Sequence, residues 1–175
     1  DVISQKKETL TNNEWQALLN IIQEAIIAQQ ESRKQEGEAL QKDMHARIEI
    51  ILQLLKQIVP YEHERITTVR TRLTTALEQT GIATIDNNRF EQELIYYLEK
   101  LDITEEKIRL QKHCDYFIET SNEKSAGKKL GFITQEIGRE INTLGSKANH
   151  VEMQKLVIQM KDELEKIKEQ LANIL

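Results

Sequence analysis

The chain has 175 residues and a net charge of −5, with 39% hydrophobic, 30% charged and 5% aromatic residues, one proline and six glycines. So few breakers leave little sequence for turns, and so few aromatics exclude a thick globular core, so long helices joined by Leu and Ile stripes are expected. The lone Cys114 excludes an internal disulfide framework, no run approaches the ~18 apolar residues of a membrane helix, and the acidic balance excludes a general basic coat but not a local basic groove.

Thr11-Asn12-Asn13-Glu14 reads as a capping box that opens a helix, followed at helical spacing by Trp15, Leu18, Leu19, Ile22 and Ile26. Leu40, Met44, Ile48, Ile51, Leu55 and Ile58 continue the stripe, which predicts one helix over residues 11–59, a rod of roughly 70 Å. Gly37 is its weak point and the alternative place for a break. Pro60 fits the first turn of a second helix, or a kink, because it has no N–H to donate. That helix carries Ile66, Val69, Leu73 and Leu77 and stops at Gly81. Residues 81–88 form a loop, and Asn88 caps a short helix with Phe90, Leu94, Tyr97, Leu98 and Leu101.

Asp102 with Glu105 marks a further helix start, and Ile108, Leu110, Cys114 and Phe117 lie along that helix. Cys114 is read as a small packing residue rather than a reactive thiol. After a polar loop at residues 120–126, a helix runs to about Gly145 with Leu130, Ile133, Ile137, Ile141 and Leu144 in one stripe. The last helix spaces Met153, Val157, Met160, Leu164, Ile167, Leu171 and Ile174 as 4-3-4-3-4-3, a seam that needs a partner helix from this chain or another copy. The fold expected is therefore all-α, with long amphipathic helices in an elongated antiparallel bundle and a coiled-coil-like C-terminal helix. Residues 1–81 would form a long-helix arm or helical hairpin, and residues 82–175 a C-terminal helical domain.

Three polar clusters remain once the stripes are assigned. Glu106, Arg109 and His113 lie at i, i+3 and i+7 with Glu105 beside them; Glu136 and Glu140 at i, i+4 adjoin Gln135, Arg139, Asn142 and Thr143; Lys147, Asn149 and His150 precede the last helix. Carboxylates with an imidazole suit Mn²⁺ or Mg²⁺, whereas the same spacings also serve ordinary i, i+4 salt bridges such as Glu105–Arg109. Between Glu105 and Lys147 eight Lys/Arg alternate with seven Asp/Glu, which allows metal-binding carboxylates beside phosphate contacts and equally a solvated helix surface. Gly127-Lys128 is not a phosphate loop, since Asn122 stands where the first Gly belongs and Lys129 replaces Ser or Thr.

The run Gly127-Lys128-Lys129-Leu130, with Phe132, Gln135-Glu136, Arg139-Glu140, Asn142-Thr143-Leu144-Gly145-Ser146-Lys147 and Asn149, resembles the C-terminal signature of the YicC/YloC-like family. Arg89-Phe90-Glu91-Gln92-Glu93, Asp102 to Glu106, Arg109-Leu110, His113 and the closing residues 160–170 are similar as well, and Arg33, Glu36-Gly37, Leu40 and Asp43 resemble the family's central helix. Gly131 and Gly138 depart from the pattern, Gly131 standing where an Asp is common and Gly138 where an Asn or a bulkier residue is common.

The resemblance implies a metal-dependent endoribonuclease, a stress-related bacterial cytoplasmic protein that hydrolyses RNA phosphodiesters with Mn²⁺ or Mg²⁺ and forms a homo-oligomer. It also implies that this chain is a C-terminal portion lacking the family's N-terminal domain. On family-matching positions, Glu106, Glu136, Glu140 and His113 are the candidate metal ligands, and His113, Glu136 and Glu140 the candidate catalytic groups. Arg109, Arg139, Lys147 and Asn142 would hold RNA, with Glu91, Glu93 and Glu105 as weaker candidates. A metal held by such carboxylates would polarise a phosphoryl oxygen and acidify a bound water. The competing reading is a non-catalytic helical scaffold that oligomerises and grips RNA; neither DNA nor membrane is expected as a partner.

Overall fold

The computed structural model describes residues 11–79 and 86–173, with the backbone alone for His63 and Asn87. Five helices follow one another: α1 (Asn12–Gln79), α2 (Asn87–Leu101), α3 (Thr104–Thr120), α4 (Gly127–Lys147) and α5 (Val151–Ala172). The described residues contain no strand, as the scarcity of breakers and the helical stripes require. None of their helices is long and apolar enough to cross a membrane. Ile174 and most of the loop expected at residues 81–88 lie outside the described residues.

The capping box forms as read. Thr11 N–H and Oγ1 donate to Glu14 Oε2 at 2.8 and 2.7 Å, and Glu14 N–H donates back to Thr11 Oγ1 at 3.4 Å. From there α1 passes Gly37 and Pro60 without interruption. The helix boundary expected at Pro60 is thus corrected. Pro60 and Lys56 are both exposed, so the carbonyl that loses its N–H partner four residues back can be satisfied by water. The cap of α2 also differs from the reading. Asp86, not Asn88, is the N-cap, and its carboxylate accepts from Asn88 N–H and Arg89 N–H at 3.0 and 3.2 Å. A carboxylate two residues earlier serves the two free N–H groups better than an amide inside the first turn.

Contacts group the chain into two compact units, Asp1–Lys42 and Asp43–Leu175. In the first, Trp15, Leu18, Ile21, Ile22, Ile26 and Ile27 are exposed, so the stripe read there meets no other described part of that unit. In the second, the stripe continues as Met44, Ile48, Ile51, Leu55 and Ile58, all buried in one core with the inner faces of α3, α4 and α5. The grouping begins at Asp43 because the α1 stripe enters this common core from Met44 onward.

The 4-3 seam of α5 is covered from within this unit. Met153, Val157, Met160, Leu164, Ile167 and Leu171 are buried alongside Ile133, Ile137, Ile141 and Leu144 of α4. Of the two partners left open for this seam, a helix of this chain or of another copy, the chain's own helices cover it. Polar links frame the core: Arg47 bridges Glu163 of α5 at 3.1 Å, and His45 Nε2 lies 2.6 Å from Ser121 Oγ at the end of α3. Arg70 pairs with Glu91, and Arg72 donates to the Tyr97 hydroxyl at 3.3 Å, joining α1 to α2.

The α4–α5 turn explains one glycine. A Cβ on Gly145 would stand 2.9 Å from Val157 Cγ1, so only glycine lets the two helices approach this closely. Gln154 Nε2 then donates to the Gly145 and Ala148 carbonyls at 2.6 and 2.7 Å, satisfying groups that the end of α4 leaves free.

Candidate functional site

The apolar 4-3 rhythm of α1 runs Ile51, Leu55, Ile58 and then places Glu62 and Arg65 at the next two core positions before Val69. Charge at a core register demands partners, and α3, α4 and the α4–α5 junction supply them. Arg65 is buried and its guanidinium donates to the Lys147 carbonyl at 3.2 Å. Lys107 Nζ meets Glu62 at 2.6 Å. Lys147 Nζ donates to Glu106 Oε1 at 2.8 Å and to the Asp102 carbonyl at 2.9 Å. His150 stacks on Tyr61 with ring centroids 5.1 Å apart, and its Nε2 lies 3.7 Å from Glu64 Oε1.

Each cation here faces a carboxylate or carbonyl. Burial pushes the Arg65 guanidinium below its ordinary value, against the opposing pull of Glu62 and Asp102. The Asp102 carboxyl is held low chiefly by the Thr104 hydroxyl, with the Thr104 and Ile103 N–H groups and Lys147 adding to it. Three buried atoms in the cluster have no hydrogen-bond partner: Arg65 Nε, Glu106 Oε2 and His150 Nδ1. Unpaired buried polar atoms are uncommon, and three in one cluster mark it as the place in this unit with unsatisfied chemistry. The fourth such atom, Thr120 Oγ1, lies at the far end of α3.

The residues singled out from the sequence are distributed differently from the single metal pocket expected. Among the described residues, no group of three or more His, Cys, Asp or Glu lies together to hold a metal ion. The reason is the position of each along the helix pair. Glu106 meets Lys147, whereas Glu136 sits eleven residues earlier on α4, about 16 Å along the axis, where it pairs with Arg139 at 3.1 Å. His113 and buried Glu140 fall at about the same level of the antiparallel α3–α4 pair, but no hydrogen bond or ion pair joins them. Within this unit Glu106, His113, Glu136 and Glu140 are thus not gathered into one group of ligands.

Arg109 is exposed and paired with Glu105 at 2.5 Å, an i, i+4 bridge of the ordinary kind. Arg139 and Asn142 lie on the outer face of α4; Glu91 faces Arg70, and Glu93 is exposed. Of the RNA contacts expected, only Lys147 enters the buried cluster. Sequence reading missed Tyr61, Glu62, Glu64, Arg65 and Lys107, and it grouped His150 with Lys147 without assigning it a role. The available signal was two charged residues at consecutive seam positions after Pro60, a register obscured by ending the helix there.

The fold and cluster define a helical unit with an apolar core and a partly buried ion cluster at one end of the α3–α4 pair, and comparison places it. Residues 58–175 match the family described as "Endoribonuclease YicC-like, C-terminal", and the chain belongs to this YicC-like family. It is 34% identical over 163 residues to a protein of Clostridioides difficile (strain 630) named "Probable endoribonuclease YicC", covering 91% of this chain and 56% of that protein. A Haemophilus influenzae protein of the same name is 31% identical over 146 residues, 81% of this chain and 50% of that protein. The chain thus spans about half the length of the curated relatives it matches. The matched region holds Tyr61, Arg65, Glu106, Lys147 and His150.

Proposed function

We propose that this protein is an endoribonuclease that hydrolyses RNA phosphodiester bonds and that its α1–α3–α4 ion cluster contributes to the reaction. The observation that carries the proposal is the match of residues 58–175 to an endoribonuclease family, a stretch that contains every member of the cluster. Hydrolysis forms a P–O bond to water and breaks one to a ribose oxygen, so a proton must leave the water and another reach the leaving oxygen. His150 is the group suited to that transfer, with its ring stacked on Tyr61 and Glu64 Oε1 3.7 Å from Nε2. Lys147 is the cluster's cation for a phosphate, which it would take in exchange for its Glu106 partner, and buried Arg65 holds the Lys147 carbonyl behind it.

Mn²⁺ or Mg²⁺ remains the cofactor that the family resemblance suggests. Glu106 would reach such an ion by giving up Lys147, and Glu136 by giving up Arg139. Self-association also belongs to this proposal. Its support is no longer the α5 seam but the exposed row Trp15, Leu18, Ile22 and Ile26, a larger apolar surface than a solitary helix ordinarily shows to water.

The test is incubation of labelled RNA with the protein, with Mn²⁺, with Mg²⁺ and with EDTA, comparing wild type with His150→Ala and His113→Ala. Cleavage lost on His150→Ala and retained on His113→Ala supports the assignment; the reverse moves the acid–base role to the His113–Glu140 level. RNA bound but never cleaved favours the non-catalytic scaffold.

A further inference from the structure

The outer face of the α3–α4 hairpin carries two aromatic rings in water. Phe132 is 58% exposed and Tyr116 43% exposed, although the chain has few aromatic residues and its core takes Phe117 completely. Lys129 stands between them in the fold: its Nζ lies 5.0 Å from the Tyr116 ring centroid, and Phe132 follows it by one turn of α4. Glu123 anchors the same ammonium at 2.8 Å, which fixes the cation against the ring. Lys112 lies one turn before Tyr116 and Lys128 one turn before Phe132; both are exposed and neither has an ion-pair partner among the described residues.

Two exposed rings interleaved with the unpaired ammonium groups of Lys112 and Lys128, and with that of Lys129 held by Glu123, fit a polyanion whose units have flat faces. An aliphatic patch would suit a protein partner equally well, but rings with a lysine between them match bases that stack while phosphates meet the cations. A duplex keeps its bases paired and its faces covered, so the surface suits single strands. We infer that the outer face of α3–α4 binds single-stranded RNA, with Tyr116 and Phe132 stacking on bases and Lys112, Lys128 and Lys129 contacting phosphates. This inference rests on the RNA-cleaving reading above and supplies the strand-holding surface for it. The surface is separate from the buried Lys147 cluster, so its loss weakens binding without removing the proposed acid–base group.

Binding is measured by fluorescence anisotropy with a short labelled oligouridine in EDTA, where a metal-dependent cleavage is arrested. Phe132→Ala and Tyr116→Ala should each weaken binding by on the order of tenfold, and Phe132→Trp should retain it. Lys128→Gln should flatten the dependence of log affinity on log salt by about 0.7. Because these side chains are exposed, circular dichroism should stay unchanged. Phe132→Leu with wild-type affinity would overturn the inference, since apolar area and not a ring would then suffice. A changed sedimenting mass with unchanged RNA affinity would overturn it too, making the face a protein interface. Cleavage that persists with the same KM in Phe132→Ala defeats this surface and leaves the endoribonuclease reading standing. RNA that binds with these losses but is never cut supports the surface and defeats the nuclease.

Discussion

Lys147 Nζ lies 2.8 Å from Glu106 Oε1, and the second oxygen of that carboxylate is buried without a partner. The pair joins the start of α3 to the end of α4. Removing the lysine would leave a buried carboxylate with no cation against it, so Lys147→Met should destabilise the unit by about 2–3 kcal/mol, at the low end for buried pairs because the lysine is partly exposed. Glu106→Gln/Lys147→Met together should recover most of that loss. Denaturant midpoints for the two single variants and the double variant measure the coupling; additive losses would show that the pair is not one energetic unit.

Two glycines should respond in opposite directions to the same substitution. Gly145→Ala drives a methyl to 2.9 Å from Val157 Cγ1 and should cost about 1–3 kcal/mol, partly relieved by adding Val157→Ala. Gly131→Ala meets nothing within 4 Å and should raise stability by up to about 1 kcal/mol through helix propensity. Thermal melts of the variants decide the sign of each.

Burial pushes the Cys114 thiol up to about 12, with Asp115 and Glu49 adding to the effect. The neutral thiol is therefore the form present at ordinary pH, and the side chain has no path to solvent. Ellman's reagent at pH 8 should find no reactive cysteine in the native protein and one after denaturation. Rapid labelling of the folded chain would contradict the burial.

The Asp102 carboxyl titrates below its ordinary value because it is stabilised in the folded state, first by the Thr104 hydroxyl. A depressed pKa contributes stability above the unfolded value near 4, and that contribution is lost as pH falls through the folded value. Asp102→Asn should lower stability at pH 7 and lessen its decline as the pH falls below about 4. Urea titrations across that range would show parallel wild-type and variant curves if Asp102 had no part in it.

Local patterns along the sequence determined the helices themselves. Thr11 and Glu14 specify the first cap, the 4-3 spacing from Met153 to Leu171 specifies the α5 seam, and the polar run after Thr120 specifies the turn into α4. Each of these rests on neighbours within a turn or two, and such interactions are written directly into residue order. Pro60 was misleading because its propensity cost is local, whereas burial on both sides, from Ile58 to Val69, carries the helix through it. Which carboxylate meets which cation was left to tertiary structure. Glu106 and Lys147 are forty-one positions apart, and Glu136 and Glu140 share a helix with Lys147 at different heights along it. Only the antiparallel register of α3 on α4 brings Glu106 to Lys147 and sets Glu136 about three turns away, and that register is chosen by the whole core together.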